Sequence, residues 1–411
     1  MPRPLKVLFV TPYLPSPPSF GGARRLHGLM TELARRHEVS VLSLVNPGEP
    51  YDGFVRATGE YCREVVTMPN PPFALSLQGK RALQLRSLGS RRSFEWFSHV
   101  RPEVGERLRQ MLAAQHYDVV NFEFTHMAPY RWSLPPSPRR QVFVLDEHNI
   151  EYEILRRTAA SESAAVRRVY NAVNWRKLRH EELKAWRTFD GCSVTSAHDR
   201  DLLLRDLPKA HVAIVPNAVD LEYFRARPEA PPPEPQSVVF FGAINYFPNS
   251  DGLKYFLDQI FPRVLARLPR AKLIVVGHTP PELFSLANAN IEMKGFVPDV
   301  RVEVERAAVA IAPLRIGGGT RLKILEAMAM SKPVVSTPQG AEGLEVTDER
   351  ELLLASTPEA FADKLVRLLE DSALAGRLAG QARKLVEERY GWAASAARLE
   401  ALYHQLGAGS A

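Results

Sequence analysis

The sequence predicts an α/β protein of two doubly wound domains, each a parallel β-sheet with helices on both faces. Three observations predict this fold class. The chain has 411 residues, more than one hydrophobic core usually serves. Short apolar and β-branched segments alternate with amphipathic helical segments, as in βαβ units. A proline-rich segment, RPEAPPPEPQS (227–237), interrupts this alternation before it restarts.

The first half begins with a βαβ unit. LKVLFVTPYLP predicts a strand, GGARRLHGLMTELARRH (21–37) a helix with apolar residues at helical spacing, and EVSVLSLV a second strand. The further predicted elements are strands at YDVVNFEF (117–124), QVFVLDEH (141–148), GCSVTSA (191–197) and HVAIVPNAV (211–219), and a helical stretch from Glu151 to about Trp186. We therefore expect one parallel-sheet domain over residues 1–226.

The second half repeats the pattern after the predicted linker, residues 227–237. The predicted strands are SVVFFGAI, AKLIVVG, IEMKGFV, VAIAPLR, KPVVST and ELLLAS, separated by helical stretches. We expect a second domain over residues 238–385, and a C-terminal helix over residues 386–411 that returns to the first domain. Parallel sheets bind ligands at the carboxyl ends of their strands, so the chemistry is expected in a cleft between two facing domains.

Composition limits the function classes. Hydrophobic residues are 45% and charged residues 24% of the chain, which is ordinary for a globular protein. Apolar runs such as VLFV are far shorter than a membrane span and the N-terminus lacks a signal-peptide pattern, so a cytoplasmic protein is expected. Cys62 and Cys192 are far apart, which argues against a disulfide scaffold, and neither they nor the scattered histidines show zinc-ligand spacing.

The formal charge of +7 is modest, but part of it is clustered. One stretch combines basic and aromatic residues: Lys80, Arg81, Arg86, Arg91, Arg92, Phe94, Trp96 and Phe97. Such a segment can contact anionic lipid headgroups at the inner membrane surface or a phosphorylated acceptor. The alternative is a solvated helix face with a few core aromatics. Nucleic acid is not expected as a partner, because no reader motif accompanies the charge.

The segment GGGTRLKILEAMAM (317–330) predicts an anion site. Its glycines permit close backbone approach, and Thr320 is positioned to cap a helix whose free N–H groups and dipole attract negative charge. Arg321 and Lys323 place two cations in the first turn, which disfavours the helix unless an anion binds there. We therefore expect a phosphate-rich ligand. A Walker A loop is excluded because Ile324, not Ser or Thr, follows Lys323.

Glu326 lies about 9 Å beyond Thr320 along the predicted helix, at roughly 1.5 Å per residue. A diphosphate at the helix start would leave its ribose hydroxyls within reach of this carboxylate. The alternative is an exposed pair between Glu326 and Lys323 at i,i+3.

The chain resembles the family 4 (group 1) glycosyltransferases of GT-B fold, which have two Rossmann-like domains facing across a cleft. The resemblance rests on GGGTRLKILEAMAMSKPVVST with GAEGLE (340–345), and on further stretches in the family's order. These are VLFVTPYLPSPPSFGGARR, LDEHN (145–149), VTSAHDR (194–200), VPNAVDLEYF (215–224), FFGAINYFPNSDG (240–252), IVVG (274–277) and KGFVPDV (294–300). The similarity looks closest to the branch that builds bacterial exopolysaccharide or envelope glycans.

The resemblance implies a retaining, metal-independent transfer of a sugar from a nucleotide diphosphate sugar to a glycan or lipid-linked acceptor, without a further cofactor. It also implies roles for individual positions. Glu326 matches the second Glu of the family's E-x(7)-E motif, which holds the ribose. His148 matches the histidine near the sugar and reactive centre. The remaining matches are Gly21 and Gly22 in the N-terminal glycine loop, Gly242 after the first strand of the second domain, Phe296 and Val297 beside the base, and Gly319 and Thr320 at the phosphates.

Two departures from the family pattern concern the donor. Gly318 stands where the first Glu of the motif usually orients the sugar. The loop that usually supplies an Arg and a Lys to the diphosphate has Asn245 and Asp251 roughly at those places. We predict that Arg321 and Lys323 replace the missing cations, with Arg321 stabilising the departing phosphate.

Several alternatives stay open at this stage. A non-catalytic nucleotide-sugar-binding partner of an envelope assembly complex would account for Gly318, and a nucleotide-sugar epimerase of similar architecture would share the fold. Asp199 and Asp201 have the spacing of a metal-binding pair, but they begin a polar helix, so metal binding is not expected. Asp146 and Glu147 are adjacent in a strand and face opposite sides, so at most one can point into the cleft.

Overall fold

The computed structural model describes residues 3–18, 20–135, 140–162, 164–227, 229–316 and 321–409. Contacts divide the chain into two compact units, Met1–Pro216 with Trp392–Ala411, and Asn217–Gly391. Within the described ranges, every helix is too short or too polar to cross a lipid bilayer.

The first unit is built on a seven-stranded parallel sheet in the order β3-β2-β1-β4-β5-β6-β7. Its strands are β1 (Lys6–Thr11), β2 (Glu38–Val45), β3 (Glu64–Pro69), β4 (Val119–Glu123), β5 (Val142–Glu147), β6 (Gly191–Val194) and β7 (Val212–Ile214). The central strands β1, β4 and β5 are almost wholly buried because helices cover both faces of the sheet. The strand order reverses direction between β1 and β4, where doubly wound sheets bind their ligands.

The helices of the first unit connect successive strands. They are α1 (Gly21–Ala34), α2 (Asp52–Gly59), α3 (Leu77–Leu88), α4 (Phe94–His99), α5 (Pro102–Ala114), α6 (Pro129–Trp132), α7 (Glu151–Ser161), α8 (Ala165–Thr188) and α9 (Ala197–Asp206), with α16 (Trp392–Gln405) added from the end of the chain. α16 packs against α1, where a Cβ added to Gly28 would lie 2.2 Å from the Trp392 ring. The Ser395 hydroxyl donates to the backbone oxygen of Pro216 at 2.9 Å. The C-terminal helix therefore completes the first unit.

The second unit repeats the architecture with a six-stranded parallel sheet in the order β10-β9-β8-β11-β12-β13. Its strands are β8 (Ser237–Phe241), β9 (Lys272–Val276), β10 (Ile291–Gly295), β11 (Val309–Ala312), β12 (Val334–Ser336) and β13 (Leu353–Leu354). Its helices are α10 (Phe247–Tyr255), α11 (Phe261–Arg267), α12 (Val300–Arg306), α13 (Leu322–Ala329), α14 (Pro358–Glu370) and α15 (Ser372–Arg389). Here the order reverses between β8 and β11, so the two sheets confirm the predicted doubly wound fold.

The predicted domain boundaries need correction. The segment predicted as a linker, 227–237, lies inside the second unit, and the chain enters that unit at Asn217 and leaves it at Gly391. Arg227 forms an ion pair with Glu305 at 2.6 Å, and Arg306 donates to Glu234 at 2.6 Å. These pairs bind the proline-rich segment to α12, which its composition alone did not indicate.

Candidate functional site

A cluster of buried charged side chains lies at the carboxyl ends of β4 and β5 in the first unit. Glu123 ends β4, Asp146 lies in β5, and His148 follows that strand directly. Arg25 reaches the cluster from α1 and, like the other three, is buried. The cluster therefore borders the point where the strand order reverses, which is where the fold places ligands.

Arg25 and Asp146 form the central ion pair. The Nε and Nη2 atoms of Arg25 donate to the two carboxylate oxygens at 2.8 Å each, and Nη1 donates to the backbone oxygen of Val215 at 2.9 Å. The Ser193 hydroxyl also donates to Asp146, at 2.6 Å. Burial raises the pKa of Asp146, but the charge and hydrogen bonds of Arg25 outweigh it and lower the pKa to about 2. The pair is thus fully ionised at neutral pH.

His148 is held by the other half of the cluster. Its Nε2 atom lies 2.8 Å from Oε2 of Glu123 and 3.5 Å from Oδ2 of Asp146. Burial lowers the pKa of His148 to about 3, so the imidazole is neutral at pH 7. Burial and then the charge of Asp146 raise the pKa of Glu123 well above its ordinary value. Burial thus favours the protonated form of Glu123 beside a neutral imidazole, and such a pair can hydrogen-bond without net charge.

A chain of amides and hydroxyls supports Glu123 from behind. The side chain of Asn121 donates to Oε1 of Glu123 at 2.7 Å and accepts from the Tyr403 hydroxyl at 2.9 Å. Tyr403 belongs to α16, so the C-terminal helix contributes to the shell around His148. The return of the C-terminal helix was predicted from the sequence, but this contact with Asn121 was not.

Aromatic rings cover the face of His148. The Phe124 ring lies 3.9 Å from the His148 ring and 5.0 Å from the His126 ring, measured between centroids. Phe124 has a φ of 65°, a left-handed conformation that bulky residues rarely adopt. Strain of this kind collects at functional sites, where surrounding structure holds it in place.

Gly21 and Gly22 form the first turn of α1, near the same cluster. A Cβ added to Gly22 would lie 1.9 Å from the Tyr13 hydroxyl oxygen, so glycine is required for this close approach. The Tyr13 ring lies 6.1 Å from that of Phe124, which places the glycine loop beside the aromatic cover of His148. The contact of Gly21 and Gly22 with phosphate or acceptor stays a prediction.

Glu147 points to the opposite side of β5, as strand alternation requires. It accepts hydrogen bonds from the Thr125 backbone N–H at 3.1 Å and from the Trp186 indole at 2.9 Å. Burial raises the pKa of Glu147 to about 8. Of the two adjacent carboxyl groups, only Asp146 belongs to the His148 cluster.

The ligand atoms of Glu123, Asp146 and His148 lie within 4.8 Å of one another, a spacing that a metal ion can use. Arg25 already neutralises Asp146, and burial favours the uncharged forms of Glu123 and His148. A divalent cation would also stand close to the buried guanidinium, which is electrostatically unfavourable. The donor set therefore suits a proton-sharing network better than a metal.

In the second unit, the candidate site residues gather at the carboxyl ends of β8, β9 and β10. Gly242 follows β8 and Gly277 follows β9, with φ values of 133° and 130°. A Cβ added to Gly277 would lie 1.8 Å from the Gly242 backbone oxygen, so the two turns pack this closely only because Gly277 has no side chain. Phe296 follows β10; its ring is 65% exposed and stacks on His278 with 4.8 Å between centroids. An exposed, supported aromatic face is suited to stacking on a nucleobase.

Lys323 reaches this edge from α13. Its Nζ atom donates to Oδ1 of Asn249 at 2.7 Å and lies 4.3 Å from the centre of the Phe240 ring. A Cβ added to Gly242 would lie 3.2 Å from the same nitrogen. The Asn249 amide nitrogen donates to the Ala243 oxygen at 2.7 Å, which orients its carbonyl toward Lys323. Burial and then the charge of Arg321 lower the pKa of Lys323 to about 7.

Arg321 and Glu326 lie on the same helix as Lys323. α13 begins at Leu322, so Arg321 occupies the cap position and the helix starts one residue later than a Thr320 cap predicts. Glu326 is buried, which argues against the alternative of a solvent-exposed pair with Lys323. Gly318, Gly319 and Thr320 lie outside the described residues, so their predicted contacts stay predictions.

The structure revises the predicted loop after β8. Asp251 does not stand open for a ligand, because Arg315 binds both of its carboxylate oxygens, at 3.0 and 2.5 Å. Asn245 is exposed, and its backbone N–H donates to the His278 oxygen at 2.9 Å. Val297 packs against the core beneath Phe296. The residue that sequence reasoning missed is Asn249, whose position in α10 brings its amide to Lys323.

Asp199 has a local structural role. The Ser196 hydroxyl donates to Oδ2 of Asp199 at 2.7 Å, and the Asp199 backbone N–H donates back to Ser196 at 3.1 Å. This reciprocal cap starts α9, whereas Asp201 pairs with Arg200 at the surface. The two aspartates do not converge on one site.

Two sequence families match the chain in succession. The family described as Glycosyltransferase Family 4 matches residues 21–223, and that described as Glycosyl transferases group 1 matches residues 235–371. A phosphatidyl-myo-inositol mannosyltransferase from Mycobacterium tuberculosis is 29% identical over 203 residues, which are 46% of this chain and 53% of that protein. The chain thus spans about half the length of the curated relatives it matches.

Solved structures resemble the whole fold. The sucrose-phosphate synthase from Thermosynechococcus elongatus has a TM-score of 0.72 at 18% identity, covering 98% of this chain and 100% of that one. HepE from Anabaena, solved with UDP and glucose, has a TM-score of 0.65 at 14% identity, covering 97% of this chain and 100% of that one. At these identities the likeness shows the GT-B arrangement of two Rossmann-like domains as a fold, without a substrate.

Proposed function

Because this chain belongs to the group 1, family 4 glycosyltransferases, we propose that it moves a sugar from a nucleotide diphosphate sugar to a glycan or lipid-linked acceptor, with retention of anomeric configuration. Support for a lipid-linked acceptor comes from the mannosyltransferase relative, whose name specifies a phosphatidylinositol substrate. The resemblance to the exopolysaccharide branch supports a role in bacterial envelope-glycan synthesis.

The observation that carries the proposal is the position of Lys323. An ammonium group with a single described side-chain acceptor, Asn249, lies beside Gly242 at the edge where doubly wound sheets bind nucleotides. An ammonium has three donors, so the group can bind phosphate oxygens in addition to Asn249. Arg321 lies at the start of the same helix and adds a second cation.

We assign the remaining donor contacts from the family positions. Glu326 holds the ribose hydroxyls, Phe296 and Val297 contact the base, and Gly242 and Asn245 border the diphosphate. The family pattern alone assigns Gly319 and Thr320 to the phosphates, and it places Gly318 at the position that usually orients the donor sugar. HepE was solved with UDP, so UDP is the first diphosphate to test.

The proposed transfer forms one bond and breaks one. The acceptor oxygen attacks the anomeric carbon on the face from which the nucleotide diphosphate departs, and the carbon–oxygen bond to the β-phosphate breaks. The acceptor proton passes to the departing phosphate oxygen, so no protein base is needed. Arg321 and Lys323 stabilise the charge that develops on that phosphate, the kind of electrostatic stabilisation that usually dominates such steps.

We propose that His148 contacts the transferred sugar as a neutral hydrogen-bonding group, held by Glu123. We also propose that the reaction is metal-independent, because the diphosphate charge meets protein cations and the His148 cluster is already charge-balanced.

The test is the melting temperature of the purified protein with UDP, GDP, ADP and CMP, each with and without EDTA. A ligand at a hundred times its dissociation constant adds about 2.7 kcal/mol to stability. We expect a shift with one diphosphate that EDTA leaves unchanged. A shift that EDTA abolishes would refute metal independence, and no shift with any nucleotide would refute the donor site.

A second experiment tests the replacement of the missing loop cations. Arg321→Ala should lower both nucleotide affinity and turnover, and unchanged values would remove Arg321 from the site. Donor binding without transfer to any lipid or glycan acceptor would favour the binding-partner alternative. Conversion of the donor sugar in the absence of acceptor would favour an epimerase.

A further inference from the structure

We propose that α3 and the first half of α8 form a docking surface for an anionic lipid bilayer. This α3–α8 face comprises residues 77–88 and 165–177. It deepens the proposed function, because a lipid-linked acceptor would be presented at such a bilayer, but it rests on observations of its own.

The face exposes large apolar side chains in two stripes. On α3, Leu77 is 78% and Leu85 69% exposed, and Leu88 is on the same side of the helix. On α8, Val166 is 84% and Val169 63% exposed, at a spacing that places them on one side of the helix. Single exposed apolar residues are ordinary, whereas apolar stripes on two helices that contact each other indicate an interaction surface.

The charges of the face have one sign. Neither residues 77–88 nor residues 165–177 include an aspartate or a glutamate. The basic residues are Lys80, Arg81, Arg86, Arg167, Arg168, Arg176 and Lys177. Of these, Arg167 pairs with Glu162, which precedes α8, at 3.2 Å. The remaining excess of positive charge around apolar side chains complements anionic headgroups over a lipid interior.

Direct contacts hold the two helices together. The Lys177 ammonium donates to the Ser87 backbone oxygen at 2.6 Å, and the Ser87 and Tyr170 hydroxyls are 3.2 Å apart. The two helices that carry the stripes are therefore fixed to each other.

The structure also relocates the membrane contact predicted from the basic aromatic segment. The aromatic rings of α4 are engaged within the protein, since Trp96 stacks on Trp132 at 5.7 Å and Arg92 lies 3.8 Å over the Trp96 ring. The apolar groups that face solvent are instead the leucines of α3 and the valines of α8. A protein partner would need acidic groups to match this charge, and a second copy of the chain would oppose positive to positive, so a bilayer fits best.

The experiment is co-sedimentation of the full chain with vesicles. Vesicles of phosphatidylcholine alone are compared with vesicles that also contain phosphatidylglycerol, at low and high salt. We expect binding to the anionic vesicles, weakened by salt. The double variant Leu77→Ser/Leu85→Ser should lower the partition coefficient by about tenfold or more, because each leucine loses its apolar burial. Lys80→Ala/Arg81→Ala should lower it by about tenfold through lost headgroup attraction.

The matched control is Phe54→Ser/Val302→Ser, which removes two apolar residues that are each 42% exposed and lie outside the face. It should bind as the unaltered protein does. Failure of the unaltered protein to bind anionic vesicles, or equal binding by Leu77→Ser/Leu85→Ser, would overturn the proposal. So would a dimer that this variant dissociates, because the face would then cover a second copy.

UDP-induced melting shifts, measured without vesicles, separate this proposal from the proposed function. All variants should keep the shift, since none lies at the donor site. Vesicle binding with no UDP shift would sink the donor assignment alone, and a UDP shift with no vesicle binding would sink the docking surface alone.

Discussion

Replacing Lys323 by Met should weaken nucleotide diphosphate binding without weakening the fold. Lys323 donates to Asn249 at 2.7 Å, and an ammonium group has further donors that can bind phosphate oxygens. Hydrogen bonds to charged groups contribute about 1.5–3 kcal/mol. At about 1.4 kcal/mol per factor of ten, Lys323→Met should raise the dissociation constant of UDP by about 10- to 150-fold. Isothermal titration calorimetry measures it.

The pH dependence of binding provides a second test of the same residue. The pKa of Lys323 is lowered to about 7 by burial and then by Arg321, against a partly opposing effect of Glu326. A bound diphosphate raises that pKa, so above pH 7 binding must take up a proton. The UDP dissociation constant should therefore rise with pH above 7, and Lys323→Met should lose this component.

The lowered pKa of Lys323 also determines how this residue makes the stability of the protein depend on pH. Between pH 7 and the ordinary lysine pKa of 10.5, the folded protein holds fewer protons at Lys323 than the unfolded chain does, so stability rises with pH in this window. The cost of burying the charge is complete below pH 7. Lys323→Met removes that cost, and we expect its melting temperature at pH 6 to be no lower than that of the unaltered protein.

Lys332 is the matched control, because it is a lysine of the same unit whose side chain is buried and hydrogen-bonded within the protein. Its ammonium donates to the backbone oxygens of Glu305 and Ala307, at 3.0 and 2.6 Å, before β11 begins. Burial lowers the pKa of Lys332 as well, to about 8, and Lys332→Met leaves acceptors unpaired as Lys323→Met does, but it should leave UDP affinity unchanged. Equal UDP affinity in Lys323→Met and the unaltered protein would refute the assignment of Lys323 to the phosphates. Equal losses of UDP affinity in Lys323→Met and Lys332→Met would also refute it.

Three further predictions concern the other site residues. Glu326→Gln should weaken UDP binding about tenfold or more and leave pyrophosphate binding unchanged, because the carboxylate is assigned to ribose; calorimetry with both ligands decides this. Asp146→Asn leaves Arg25 buried without a counterion and should lower the free energy of unfolding by about 3–5 kcal/mol, measured by urea denaturation. Glu38→Gln, which changes an exposed pair, should lower it by less than about 1 kcal/mol. Similar losses in the two variants would contradict the assignment of Asp146 as the counterion of Arg25. His148→Gln should lower turnover but keep the shape of the pH–rate profile between about pH 5 and 8, because burial lowers the pKa of His148 to about 3. If the unaltered protein loses activity around pH 6 and the variant does not, His148 titrates in that range and the prediction is wrong.

The strands of the central sheets were predictable because of how parallel sheets bury them. Strands covered on both faces become nearly continuous apolar runs, and the runs containing β1, β2, β4 and β5 stand out in the sequence. The edge strand β3 was missed, since it is only half-buried and its sequence EVVTMP is short and mixed. His148 was predicted from its place directly after β5, where the fold and the family pattern agree.

The partners of His148 were not predicted, although the sequence contains signs of them. Arg25 lies four residues before Leu29 and eight before Leu33, on the apolar stripe of α1, and a charge on a buried stripe requires a buried partner. Asn121 and Glu123 are two positions apart, so they lie on the same face of an otherwise apolar strand. These signs show that partners exist but do not identify them, because Arg25 and Asp146 are 121 positions apart in the chain.

The proposed replacement of the missing loop cations by Arg321 and Lys323 shows what sequence position alone cannot predict. Alignment with the family pattern directs attention to Asn245 and Asp251, because they occupy the places of the missing Arg and Lys. In the structure, Asp251 is bound by Arg315, and the buried amide of Asn249 accepts a hydrogen bond from Lys323. Neutral Asn249 in α10 leaves room for an ammonium from α13, whereas a lysine at that position would repel it. If Lys323 replaces the missing loop cation, as we propose, an Asn249→Lys variant should lower UDP affinity in the presence of Lys323 but raise it in Lys323→Met.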